Sequence, residues 1–224
     1  MKRILFWLVL VLFLCNFSVQ AEAKNGFSHG TREGKRVALS FDDGPHPVYT
    51  QKILAVLEKY QVKATFFMIG CNVALYPSVA KSVYDAGHEI GNHTYTHRHI
   101  AGMDEETLKG ELGRCEDALL ELCEYRTHLF RPPEGAVTPC VERCSEEGDY
   151  SLILWSLDTR DWEHKSASRI ASSVLDGVRP GDIILMHDYI GVKSKTPEAL
   201  EVLIPELLRR GYELVTVSDL MGLR

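Results

Sequence analysis

The chain has 224 residues, a formal net charge of −6, and 25% charged and 45% hydrophobic residues. Its Lys and Arg residues are scattered, which argues against nucleic acid and anionic membrane surfaces as partners and leaves a small substrate or a glycan. About 200 residues beyond the N-terminal segment suffice for one domain with a full core.

Lys2 and Arg3 precede an apolar run from Ile4 to Leu14, and the chain then turns small and polar through Ser18, Ala21 and Ala23. This is the three-part pattern of a secretory leader. The run falls short of the roughly 18 residues of a membrane span. Cleavage near Ala21 or Ala23 is therefore expected, the alternative being an uncleaved anchor that also uses Cys15 to Val19. Residues 1–23 read as a signal peptide, 24–35 as a linker and 36–224 as one domain, placing the protein outside the cell or in its envelope. Cys71, Cys115, Cys123, Cys140 and Cys144 lie beyond the leader. An odd number outside the cell implies at least one free thiol, and spacing alone assigns no bridge.

Short β-type runs alternate with helical patterns to the end of the chain. Strands are expected at Val37 to Phe41, Ala64 to Ile69, Glu89 to Gly91, His128 to Phe130, Leu152 to Leu157, Asp182 to Met186 and Glu213 to Val217. Thr50 to Tyr60, Tyr76 to Ala86, Glu105 to Glu124, Ala167 to Val178 and Pro197 to Arg210 place apolar residues three and four apart, as helices do. This alternation predicts an α/β fold with a mainly parallel sheet, open or closed into a barrel.

The polar chemistry falls at the carboxyl ends of the strands. Asp42 and Asp43 follow the first, His93 and His97 the third, Arg131 the fourth, Asp158 and Asp161 the fifth, and His187 with Asp188 the sixth. In a parallel sheet those ends share one rim, where active sites are built. One carboxylate and two imidazoles supply three ligands for a divalent metal and leave positions open for water and substrate, while the second carboxylate can take a proton. Each feature has a plainer explanation when taken alone. Adjacent aspartates before Gly44 and Pro45 often only make a turn, and a His pair four apart often lies on a solvated helix face. Arg131 before Pro132 and Pro133 would by itself be a surface ion pair. Their joint placement on one rim favours the metal.

Ser-Phe-Asp-Asp-Gly (Ser40 to Gly44), His-Thr-Tyr-Thr-His (His93 to His97), Arg-Pro-Pro-Glu-Gly (Arg131 to Gly135), Asp-Thr-Arg-Asp-Trp (Asp158 to Trp162) and Leu-Met-His (Leu185 to His187) resemble, in order, the five motifs of the polysaccharide deacetylases, the NodB-homology enzymes of carbohydrate esterase family four. The resemblance covers nearly everything after Lys35. It implies a distorted, incomplete (β/α) barrel of about seven strands that removes N-acetyl groups from N-acetylglucosamine units of a glycan, peptidoglycan or a chitin-type oligosaccharide. Asp43, His93 and His97 would bind the metal, usually zinc, with cobalt, nickel or manganese accepted by the same donors. Asp42 would be the general base and His187 the acid that protonates the leaving nitrogen. Asp161 would hold His187 and favour its imidazolium. Arg131 would fix Asp42 and favour its ionised form. Trp162, Pro133, Glu134 and Leu185 would contact the sugar.

The resemblance implies no nucleic-acid partner and indicates no protein partner. Ser40 stands where threonine is commoner, Arg98 where proline is usual, and Glu134 at a position that is often aromatic. Two further readings keep the fold: an O-acetyl xylan esterase, and a glycan-binding pseudoenzyme. A two-carboxylate glycosidase would leave the histidines unexplained. A non-haem iron oxygenase would need a cosubstrate for which the sequence has no motif.

Overall fold

Alternation along the strands decides which side chains meet the helices and which meet one another. The computed structural model describes residues 26–163, 165–191 and 194–223, so the expected leader lies outside the described residues. Among the described residues eight strands form one sheet: β1 (Arg36–Asp42), β2 (Thr65–Met68), β3 (Glu89–Asn92), β4 (Leu129–Phe130), β5 (Ser151–Leu152), β6 (Leu157–Asp158), β7 (Ile183–His187) and β8 (Glu213–Val215). Their order is β5-β4-β3-β2-β1-β7-β6, with every pairing parallel. β8 pairs with the first half of β1, on the edge whose second half holds β2.

The helices are α1 (Tyr49–Lys59), α2 (Gly70–Leu75), α3 (Pro77–Asp85), α4 (Glu105–Cys123), α5 (Pro139–Glu147), α6 (Ala167–Leu175), α7 (Thr196–Arg209) and α8 (Val217–Met221). Leu39 and Phe41 of β1, Phe66 of β2 and Met186 of β7 face outward and share a buried cluster with Ile53 of α1 and Leu203 of α7. The alternate residues Ala38, Phe67 and Ile183 face inward and pack with Leu129, Ile153 and Val215, which plug the lower part of the barrel. Side-chain oxygens start several helices. Asp104 accepts from the Thr107 amide at α4, and Thr138 from that of Val141 at α5.

The structure is the distorted, incomplete barrel that the motifs imply, with one difference in the strands. The run Leu152 to Leu157, expected as one strand, divides into β5 and β6, which lie at opposite edges of the sheet. Residues 153–156 cross between the edges, so one continuous stretch of chain closes the curl. Residues 26–35, expected as a linker, carry Phe27 into the lower core, where its amide donates to Leu152 O at 2.7 Å. No helix among the described residues is long and apolar enough to cross a membrane.

Gly91 on β3 has a packing role. A Cβ there would stand 2.4 Å from Phe67 Cδ1 inside the barrel. Gly91→Ala is expected to destabilise the fold by about 1–3 kcal/mol through overpacking, measured as a lower midpoint in denaturant; an unchanged midpoint would show that Phe67 is free to move.

Candidate active site

The carboxyl ends of β1, β3, β4 and β7 converge on a cleft of about 310 Å³. Asp42 ends β1 and Asp43 follows it with φ 74°, in the left-handed region. His93 follows β3, and His97 lies four residues on with φ 52°. Non-glycine residues pay for this conformation and keep it only where the surroundings hold them. Glu111 of α4 supplies part of that hold: its buried Oε2 accepts from the amides of Tyr95 at 3.1 Å and Thr96 at 2.7 Å and from the Thr96 hydroxyl at 2.8 Å. Thr94 Oγ1 accepts from the His97 amide at 3.1 Å.

His93 Nδ1 lies 2.7 Å from the carbonyl of Arg131, so Nδ1 carries a proton and donates it there. That bond turns Nε2 towards Asp43, whose Oδ1 is 3.5 Å away; His97 Nε2 is 3.2 Å from the same oxygen. All three donor atoms lie within 4.8 Å of one another. Asp43 Oδ1 is buried and has no hydrogen-bond partner. A buried carboxylate oxygen without a partner is costly. Two imidazole nitrogens aimed at the same place complete a donor set that fits a divalent cation.

Burial works to raise the Asp43 carboxyl, yet the histidines around it, His93 foremost, hold it at about 2. Burial likewise opposes the imidazolium of His93, but Asp42 and Asp43 raise its pKa overall. Burial and then the neighbouring His93 lower that of His97. The two carboxylates therefore favour a proton on the His93 ring.

Asp42 and His187 flank the cluster on its two sides. Arg131 is fully buried, and its Nη1 donates to Asp42 Oδ1 at 2.7 Å and to Ser40 Oγ at 2.9 Å. On the other side, His187 Nδ1 is 2.7 Å from Asp161 Oδ1. Asp161 is itself buried and held by the His187 amide and the Thr196 hydroxyl, both at 2.8 Å. Burial acts against the His187 imidazolium, but the bond to Asp161 and the charges of Asp161, Asp42 and Asp43 outweigh it and raise its pKa from 6.5 to about 9.

The cleft brings together Asp42, Asp43, His93, His97 and His187, with Glu134, Trp162 and Leu185 on its walls. Arg131 and Asp161 stand behind Asp42 and His187 and reach the cleft through them. Pro133 is buried and does not line the cleft, whereas Glu134 does. Glu134 pairs with His99 at 2.8 Å across the rim. Trp155 and Asp158 also line the cleft. Asp158 opens the fourth motif and was legible as a rim carboxylate; Trp155 had no signal, because it lies inside a run that reads as a strand. A larger hollow of about 440 Å³ lies between α1 and α3 in the outer layer and contains none of these groups.

Three side chains that could hold a cation, with Asp42 and His187 on either side, fit the class of hydrolases built around a divalent cation. Residues 29–153 match the family model of the polysaccharide deacetylases. A peptidoglycan-N-acetylglucosamine deacetylase of Bacillus cereus is 39% identical over 191 residues, covering 84% of this chain and 88% of the relative. A chitooligosaccharide deacetylase of a Bradyrhizobium strain is 36% identical over 206 residues, covering 86% and 94%. The crystal structure of a peptidoglycan N-acetylglucosamine deacetylase in complex with 4-naphthalen-1-yl-N-oxidanyl-benzamide superposes with a TM-score of 0.85 at 34% identity, covering 88% of this chain and 92% of that one. The chain belongs to the polysaccharide deacetylase family.

Asp43→Ala and His93→Ala are each expected to abolish metal retention and activity together, measured by metal content after dialysis. Metal affinity should rise with pH, because a cation displaces the proton that the carboxylates favour on His93. Cobalt titrations at two pH values on either side of neutrality would show it, and equal affinities would mean that His93 is already neutral.

Proposed function

We propose that the protein removes N-acetyl groups from N-acetylglucosamine residues of an extracellular glycan, peptidoglycan or a chitin-type oligosaccharide, with zinc as its metal. The observation that carries this reading is the unpartnered Asp43 oxygen beside two imidazole nitrogens, with Asp42 and His187 on either side. Relatives named for peptidoglycan and for chitooligosaccharides support the two substrate classes. The leader-like segment at residues 1–23 supports a place outside the cell or in its envelope, and residues 36–224 form the proposed catalytic domain.

Asp43, His93 and His97 would hold the cation, which supplies a water of lowered pKa and a Lewis acid for the acetamide carbonyl. Asp42 is fixed through Oδ1 by Arg131, and its Oδ2 lies 3.7 Å from His93 Nε2, beside the metal donors. There it takes the proton of the attacking water. His187, bound to Asp161 through Nδ1, keeps Nε2–H for the cleft and donates it to the amide nitrogen, which leaves as an amine only when protonated. Two proton carriers with different environments thus serve the two halves of the reaction. Trp162, 46% exposed at the rim, offers an apolar face to a sugar ring, with Leu185 and Glu134 on the same walls.

Acetate release from N-acetylglucosamine oligomers and peptidoglycan, lost with chelator and restored by zinc, is the expected result. Release from acetylated xylan alone would move the protein to O-esters, and no release with any metal would leave a glycan-binding protein. Asp42→Asn should lower kcat by about 10²- to 10⁴-fold with the metal still bound; loss of the metal would make Asp42 a ligand. His187→Ala should slow amide hydrolysis more than ester hydrolysis, since an alkoxide leaves more readily. His187 must be protonated to act, so kcat should fall on the alkaline side, and Asp161→Asn, which removes the main support of the imidazolium, should move that fall to lower pH. The same raised pKa gives a stability contribution fully present below about 6.5 and lost as pH passes about 9.

A further inference from the structure

One buried carboxylate in the rim has no part in the chemistry above. Asp188 follows β7 and is fully buried, with Oδ1 unpartnered. Its Oδ2 accepts from the Thr50 hydroxyl at 2.5 Å, and Thr50 Oγ1 accepts in turn from the His46 amide at 2.8 Å. The Asp188 amide donates to Asp42 O at 2.9 Å. A side chain on Gly44 would occupy the place of this carboxylate: a Cβ there would stand 2.0 Å from Asp188 Oδ2 and 2.6 Å from its Cγ. Asp188 therefore lies against the bare backbone of the residue after Asp43.

The turn from Asp42 to His46 is tied at each step by groups outside it. Asp42 O is held by Asp188, Asp43 O by the Asn72 side chain at 2.9 Å, Gly44 O by the Ile69 amide at 2.9 Å, and the His46 amide by Thr50. Thr50 also accepts from and donates to His46 at the far end of the turn, while Asp188 brackets Asp43 itself, with its amide bonded to Asp42 O and its carboxyl packed against Gly44. Asp43 sits between these two holds with φ 74°, a conformation that a free chain would abandon.

We infer that Asp188 is a positioning residue for the metal site: its carboxyl, seated on Gly44 and bonded to Thr50, holds the turn that aims Asp43 at the cation. The role lies in shape and in accepting a hydrogen bond. It links β7, which carries His187, to the ligand turn after β1, so the acid and the metal carboxylate are set by one contact. The inference rests on the reading of Asp43, His93 and His97 as ligands.

The test is cobalt binding by the full chain, read as affinity and as the visible absorption bands that report ligand geometry. Gly44→Ala and Asp188→Ala are each expected to weaken binding by about 10- to 100-fold, the usual cost of losing a group that orients a ligand, and to shift the bands. The double variant should lose less than the two single losses combined, because the new methyl enters the space that the carboxyl vacates. Asp188→Asn, which can still accept from Thr50, should keep wild-type affinity. If either alanine variant fails to fold, Thr50→Val and Asp188→Asn decide, the first weakening the metal and the second not. Wild-type affinity and bands in folded Gly44→Ala, full additivity in the double variant, or an asparagine as damaging as alanine would each overturn the inference. A wild-type chain that binds no cobalt would instead overturn the ligand reading beneath it.

Discussion

The guanidinium of Arg131 is the contact on which the barrel and its site both depend. It is fully buried, where an unpaired charge would cost several kcal/mol, and its bonds show what satisfies it. Nη1 meets Asp42 and Ser40, Nη2 donates to Leu154 O at 3.0 Å, and Nε to Ile153 O at 3.4 Å, while the group lies over the Phe67 ring at 4.0 Å. Two of those acceptors belong to the stretch that closes the curl. The Arg131 carbonyl meanwhile accepts from His93 Nδ1. One residue thus fastens the crossing chain, fixes the proposed base and sets the tautomer of a proposed ligand.

That arrangement gives the two sides of the cleft different electrostatics. Asp42 faces a permanent cation, while His187 faces a carboxylate that is itself saturated by the His187 amide and Thr196. The proposed base and the proposed acid are kept apart by what lies behind each, and the proposed metal donors stand between them. The bond to Asp161 is the main contact that favours the His187 imidazolium against burial.

Much of this was legible because the barrel sorts residues by strand position. Asp42, Asp43, His93, His97, Arg131, Asp161 and His187 each follow an apolar run, and a parallel sheet gathers such positions on one rim. What escaped depends on contacts distant in sequence. The run Leu152 to Leu157 has one unbroken β-like pattern, yet the curvature of the sheet assigns its two ends to opposite edges. Trp155 reaches the cleft only because of that division. Glu111 belongs to a solvated-looking helix pattern, and its burial under the His93 to His97 loop follows from how α4 lies on the sheet. Phe27 looked like part of a linker because only the lower core shows what it fills. Helix α5 was different: Thr138 and Pro139 are ordinary signals for a helix start, and the helix went unread.

The crossing at residues 153–156 also bears on behaviour among other chains. An open parallel sheet presents rows of unpaired amides and carbonyls at both ends, which can template pairing with another chain. Here each terminal strand is only two residues long, and the same piece of backbone leaves one and enters the other. Leu154 and Ser156 spend their amides on Phe27 and Ile183, and Arg131 takes the carbonyls of Ile153 and Leu154. Little raw edge is left for a neighbouring molecule to extend, so the closure that shapes the cleft also guards the protein against strand-to-strand aggregation.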